Sequence, residues 1–147
     1  MTTETVATAT LDICAALPAT YDAPAYAALS WTAIGELTDI GSVKGRQYNT
    51  ATHAPISSAQ QTEKKASYKL GKADMTVGWD DNDAGQLLVR AAADHPTAVN
   101  SFRLTKQNGK IRYFTAQVTD CMENLGTVDN VVQGKFSLLR QTNTIDA

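Results

Sequence analysis

The sequence predicts an all-β or β-rich α+β fold, and three observations carry that expectation. Apolar residues alternate with period two in several separate segments, a strong turn dipeptide joins two of them, and only one stretch has helical spacing. Strand segments outnumber helical ones by about five or six to one. At 147 residues a single domain over 1–147 is expected. A chain of that size buries roughly 68–70% of its unfolded surface, enough for one core without staples.

The first residues, about 1–10, are rich in Thr and Ala and read as a flexible arm. Thr10 to Leu17 reads as a short strand that Pro18 ends. Tyr21 to Leu29 holds Pro24 among several alanines and reads as a loop or one helical turn. Trp31, Ala33 and Gly35 alternate with Thr32, Ile34 and Glu36 as a strand does, and Leu37 to Ile40 continue in the same style. Gly41 to Ala66 is polar and shows no apolar periodicity. Loops beyond about 12–15 residues are uncommon in compact domains unless they bind something or become ordered on assembly. This stretch is therefore read as a long polar loop over 41–66.

Alternation returns at Ser67. Tyr68 and Leu70 share one parity, while Ala73, Met75, Val77 and Trp79 share the other, so a bulge or bend is expected at Gly71-Lys72. Ala84, Leu87, Leu88, Ala91 and Ala92 then form a helical stripe within a helix over about 81–94. The acids at Asp80, Asp81 and Asp83 suit its N-cap and dipole, and His95-Pro96 closes it. Val99 to Lys106 and Lys110 to Thr119 flank Asn108-Gly109, a hairpin signal. A two-residue turn would put Phe102, Leu104, Ile111 and Tyr113 on one face and Phe114, Ala116 and Val118 on the other. Either a bulge shifts that register, or one side packs the core and the other meets a neighbour; the second fits an assembling sheet. Val131 to Leu139 is the last strand, with Val132, Phe136 and Leu138 on one side, and about 140–147 reads as a short tail.

Composition excludes several function classes. Lys and Arg number 13 against 15 Asp and Glu, a formal net charge of −2, and Lys64-Lys65 is the lone adjacent basic pair. Tight nucleic-acid binding calls for a basic face, because phosphate contacts supply most of the affinity. No apolar run is long enough to span a bilayer, so no membrane partner is expected. The N-terminus lacks the basic and apolar regions of a secretory signal, which implies synthesis in a cytoplasm and retention there unless exported within a particle. Cys14 and Cys121 match no metal or redox spacing and read as free thiols, with a bridge the other option. Asp80-Asp81-Asn82-Asp83-Ala84-Gly85 has Ala84 and Ala91 where an EF-hand needs oxygen ligands, so helix capping is preferred to a metal. His53 and His95 have no nucleophile motif beside them, and the glycines form no phosphate cradle. No catalytic residue, cofactor or metal is assigned. Trp31 and Trp79 as a sugar-stacking platform would make a carbohydrate-binding module, the alternative from another class.

Read in order, several segments resemble the tail tube proteins of long-tailed bacteriophages of the siphophage type. They are Thr20-Tyr21-Asp22 to Ala28-Leu29, Trp31 to Glu36, Thr38 to Gly41, Met75-Thr76-Val77 and Asp83-Ala84-Gly85-Gln86 leading into Leu87 to Ala92. Phe102-Arg103, Gly109, Tyr113 to Ala116, Gly126 and Val128 to Val132 complete the set, which spans roughly Thr20 to Leu139. The resemblance implies a β-sandwich or barrel with one flanking helix. It implies subunits that form rings, commonly hexameric, stacked into a hollow virion tail tube through which the genome is ejected. It further implies tape-measure, tail terminator and baseplate or tail-tip partners, and transient passage of DNA. A ring protein of a type VI-like secretion system is a second structural reading. On the tube reading, Arg46, Tyr48, His53, Lys64 and Lys65 are candidates for inter-subunit or inter-ring contact, as the large or charged groups of the polar stretch. Asp39, Asp120, Glu123 and Asp129 are candidates for facing the channel, where acidic groups repel DNA.

Overall fold

Alternating apolar residues need a sheet to share, and the structure shows how they share it. This computed structural model describes residues 3–147; Met1 and Thr2 of the expected arm lie outside the described residues. In chain order the elements are β1 (Thr10–Cys14), α1 (Ala23–Ala27), β2 (Thr32–Ala33), β3 (Leu37–Asp39), β4 (Gln47–His53) and β5 (Thr62–Lys69). There follow β6 (Lys72–Gly78), α2 (Ala84–Asp94), β7 (Asn100–Thr105), β8 (Ile111–Asn124), β9 (Gln133–Arg140) and β10 (Ile145–Asp146). One curled sheet runs β2-β1-β7-β8-β9-β6-β3, with β10 on β8, and β4 and β5 pair separately.

The β7–β8 register decides where the core lies. The Gly109 amide donates to the Lys106 carbonyl at 2.9 Å, and the Lys106 amide donates to the Lys110 carbonyl at 2.9 Å. Gly109 has a left-handed φ of 85°, so the loop holds one residue more than a type I′ turn. Phe102 consequently pairs with Phe114 and Leu104 with Arg112. The shifted register is thus the one adopted, and the two-sided apolar hairpin is not. Phe102, Phe114, Ala116 and Val118 join Leu11, Ile13, Met75, Phe136 and Leu138 in one core, with the Phe102 and Phe114 rings stacked at 5.5 Å.

Helix α2 caps that core. Asp83 is its N-cap and accepts from the Gln86 amide at 3.0 Å. The buried face is Gly85, Gln86, Val89 and Ala92, whereas Leu87 stays 47% exposed. The expected stripe through Ala84, Leu87 and Ala91 is therefore rotated. A Cβ on Gly85 would overlap the Ala33 carbonyl, so the helix's first turn lies directly on the β2 backbone. Gln86 replaces an apolar residue because its side chain has four partners there: it donates to the Gly35 and Gly78 carbonyls and accepts from the Asp80 amide and the Arg90 guanidinium.

One further strand expectation is corrected. The strand foreseen at Trp31 to Glu36 shrinks to Thr32–Ala33, and Glu36 takes a left-handed φ of 59°. The tail after Arg140 includes β10, which pairs Ile145 with Tyr113 and Asp146 with Arg112. Within the described part of the N-terminal arm, Glu4 accepts from the Asn108 amide at 3.1 Å and pairs with Lys106 at 2.5 Å. The bend at Gly71 is observed, with φ at 84°. Replacing Gly85 by Ala is expected to lower stability by about 1–3 kcal/mol through overpacking against β2, read from the urea midpoint at unchanged m-value. An unshifted midpoint would show that the helix does not rest on that backbone.

Candidate assembly surfaces

The stretch 41–66 is the largest departure from expectation. It is not a structureless loop: β4 and β5 form an antiparallel hairpin in which Tyr48 pairs with Tyr68, Thr50 with Lys65 and His53 with Thr62. Every residue of both strands is exposed, and Ile56 at the tip is fully so. Tyr48 and Tyr68 rings lie 5.4 Å apart; the Arg46 guanidinium sits 4.5 Å over Tyr68 and the Lys65 ammonium 4.8 Å over Tyr48. Of the five contact candidates, Arg46, Tyr48 and Lys65 thus share one face of the hairpin. Strand alternation turns Lys64 and His53 to the other face.

The hairpin's root is gripped by Arg140, a residue that no motif flagged. Only 6% exposed, its guanidinium donates to the Val43 carbonyl at 3.0 Å, the Gly45 carbonyl at 2.6 Å and the Leu70 carbonyl. Gly45 precedes β4 and Leu70 follows β5, so one cation ties both stems to the end of β9. Burial pulls its pKa down, and carbonyl oxygens rather than a carboxylate solvate the charge. The signal was present but weak: an arginine at an inward parity of an otherwise apolar strand.

The outer face of the sheet is divided. Over β1, β7 and the first half of β8 it is covered: Tyr26 of α1 stacks on Tyr113 at 5.1 Å, Trp31 stacks there at 6.0 Å, and Asp12 pairs with Arg103 beneath. Over β3, β6, β9 and the second half of β8 it is bare. Register lines up Asp39, Thr76, Lys135 and Met122 in one row and Asp74, Ser137 and Asp120 in the next. Asp39 and Asp120 therefore do share a face, together with Asp74, Lys72 and Lys135, which sequence reasoning missed. Glu123 alternates to the opposite face, paired with Gly134, and Asp129 lies in the turn between β8 and β9. This four-strand band has two open rims. β3 ends the sheet, and among the described residues no strand pairs the far side of Gln117–Asn124, because β7 stops opposite Ala116.

Other candidates separate in space. Trp31 is held by Tyr26 and Tyr113, whereas Trp79 lies under Arg90 at 4.1 Å and donates to Asp81. They form no common platform. Cys14 is buried and Cys121 half-buried; both are free, and burial pushes the Cys121 thiol up. No cluster of metal-ligating side chains occurs among the described residues.

With this geometry in hand, the likeness to solved structures is informative. No protein-family model matches the chain, and no curated protein matches it in sequence. A chain of the anti-feeding prophage baseplate, six-fold symmetrised, aligns with TM-score 0.66 at 11% identity over 100% of this chain and 97% of that one. A chain of the sheath/tube terminator of an extracellular contractile injection system aligns with TM-score 0.68 at 7% identity, over 100% and 98%. The SPP1 tail tube aligns with TM-score 0.64 at 14% identity, over 94% and 75%. The chain has the tail tube fold. Within it, the flanking helix is α2 and the extra hairpin is β4–β5.

The tail carries a carboxylate tied to two cations. Lys44 hydrogen-bonds Asp146 at 2.5 Å, and Arg112 approaches at 3.3 Å; the Lys44 bond, more than the Arg112 charge, holds the Asp146 carboxyl below its ordinary 3.8. A depressed carboxylate stabilises the fold above its ordinary pKa, and that contribution disappears as pH falls through the lowered value. Protection of the Ile111 and Ala147 amides, which bond each other's carbonyls, is expected to decline as pH falls below 3.8. Asp146→Asn should remove that decline. In the same hydrogen-exchange experiment Arg140→Met should expose the hairpin amides far more than those of β7, since its carbonyl partners lose about 1–3 kcal/mol each when left unpaired.

Proposed function

We propose that this chain is a structural virion protein, the repeating subunit of a bacteriophage tail tube. It is made in the host cytoplasm and assembles into rings, six-fold in symmetry, that stack into a conduit for the genome. The observation that carries the reading is the bare polar band with two open rims. Unpaired rims template further strands, and joining β3 of one copy to the Gln117–Asn124 rim of the next closes a ring by a heterologous contact. The band's outer face then lines the bore. Asp39, Asp74 and Asp120 there stand against Lys72 and Lys135, a mixed polar lining without the basic stripe that grips phosphate. The likeness to the SPP1 tail tube supports the same reading.

The hairpin fits the role as an arm between subunits. An isolated two-stranded hairpin is marginal in water, so β4–β5 is mobile in the free subunit and ordered in the tube. Arg46, Tyr48, His53, Lys64 and Lys65 are its contact residues. Tape-measure, terminator and tip proteins are the remaining partners. One of the structural neighbours is the sheath/tube terminator of an extracellular contractile injection system, which favours as a second reading a tube that works inside a sheath.

Negative-stain microscopy of concentrated purified protein is expected to show hollow tubes of stacked rings. Hydrogen exchange on free and assembled protein is expected to show new protection at Leu37–Asp39, Gln117–Asn124 and the hairpin. A lasting monomer, or tubes in which those amides exchange as fast as before, would sink the proposal.

A further inference from the structure

The charges are sorted along the band. β6 runs from Lys72, opposite Leu139, to Gly78, opposite Gln133, so the hairpin root and the C-terminus share one end. The other end, about 20 Å away at roughly 3.3 Å per residue, holds the Asp80–Asp83 turn, Asn124 and the loop up to Val132. At the hairpin end Asp146 and Glu4 are already paired with Lys44, Arg112 and Lys106. That leaves Arg46, Lys64, Lys65, Lys69, Lys72 and Lys110, all exposed, against Glu63 alone. At the far end Glu36, Asp80, Asp81, Glu123 and Asp129 are all exposed. Glu36 reaches that end because its carbonyl accepts from the Gly78 amide at 2.6 Å. The nearest cations are Arg90, 3.9 Å from Asp81 but turned over Trp79, and Lys135, one strand row inward.

We infer that the basic hairpin end is a docking surface for the acidic far end of a second copy, so that copies stack head to tail with a fixed polarity. This rests on the tube reading and adds the force and direction of stacking. One pole of the subunit is basic and the other acidic, although the chain as a whole is nearly neutral. Opposite poles attract and like poles repel, which selects the polar stack over head-to-head or tail-to-tail pairing. The exposed positions of these side chains make the attraction salt-sensitive, with a screening length near 10 Å at about 0.1 M salt. The competing occupant of a basic arm is nucleic acid. The second copy is favoured because the acidic complement is on the same chain and the cations are split between the hairpin's two faces rather than gathered in one stripe.

The test uses two charge-reversed proteins of the full chain, with the acidic changes kept off the two rims: Lys64→Glu/Lys65→Glu/Lys69→Glu, and Glu36→Lys/Asp81→Lys/Asp129→Lys. Circular dichroism first establishes that each is folded; should Glu36, at its left-handed backbone, impair folding, Asp80→Lys/Asp81→Lys/Asp129→Lys replaces the second. Each is expected to make no tubes by itself, because both its poles carry one sign. Mixed in equal amounts they are expected to make tubes of alternating composition, and native tubes are expected to shorten as salt rises. Folded proteins that tube alone, or that stay apart when mixed, overturn the inference while native tubes leave the tube reading standing. Native protein that never forms tubes defeats the tube reading itself. Retention of duplex DNA by native protein, lost in the lysine variant while its tubes persist, would overturn stacking in favour of nucleic acid.

Discussion

Gly109 is the residue on which the two faces of this sheet depend. Its left-handed backbone lengthens the β7–β8 turn by one residue, and a one-residue slip moves every side chain of a strand to the other face. With Phe102 opposite Phe114, Phe102, Leu104, Phe114, Ala116 and Val118 share the core face. The opposite parity keeps Ser101, Arg103, Tyr113 and Thr115, which need hydrogen bonds or a partial cover. That cover is supplied locally by Tyr26, Trp31 and Thr142. Where β8 runs on past β7 no cover exists, and the outward residues there are polar or mobile in shape: Asp120, Met122 and Asn124.

One consequence is that the molecule is complete on one half and open on the other. The half built on β1 and β7 has helix on one face and α1 with the tail on the other. The half built on β3, β6 and β9 has a core on one face only, two free rims and an exposed loop carrying Leu125, Val128 and Val131. Soluble monomers commonly shield long rims with charge, proline or a covering segment. The Gln117–Asn124 rim has only the acids Asp120 and Glu123, and β3 offers Asp39. A fold that is sealed on one side and unsealed on the other is economical for a subunit whose copies are arranged around an axis.

How much of this was legible in the sequence follows from what burial imposes. Strands with one buried face, such as Lys72–Gly78 and Gln133–Arg140, announce themselves by period two, and the acids before Ala84 announce the cap at Asp83. The β4–β5 hairpin has no buried face, so nothing imposes alternation and its sequence reads as loop. The helix stripe was read one position off because the packing face uses Gly85 and Gln86, chosen for closeness and hydrogen bonds rather than apolarity. Arg140 was hidden for a related reason: its partners are carbonyls at Val43, Gly45 and Leu70, and backbone oxygens leave no trace in residue identity. Of the site, the charged groups of the hairpin were legible by type, while their division between two faces needed the Tyr48–Tyr68 register.

The same register explains how an arm without a hydrophobic face is held at all. Arg46, Tyr68, Tyr48 and Lys65 stack as cation, ring, ring and cation along one face, and each cation–π contact contributes about 0.5–1 kcal/mol at an exposed site. That is too little to order a two-stranded hairpin in isolation, but Arg140 fixes both stems and so removes part of the closure entropy. The arm is consequently preorganised near its root and free at Ile56, its tip. Preorganisation lowers the entropy that docking must overcome, whereas a free tip keeps the apolar surface small and isolated in the unassembled subunit.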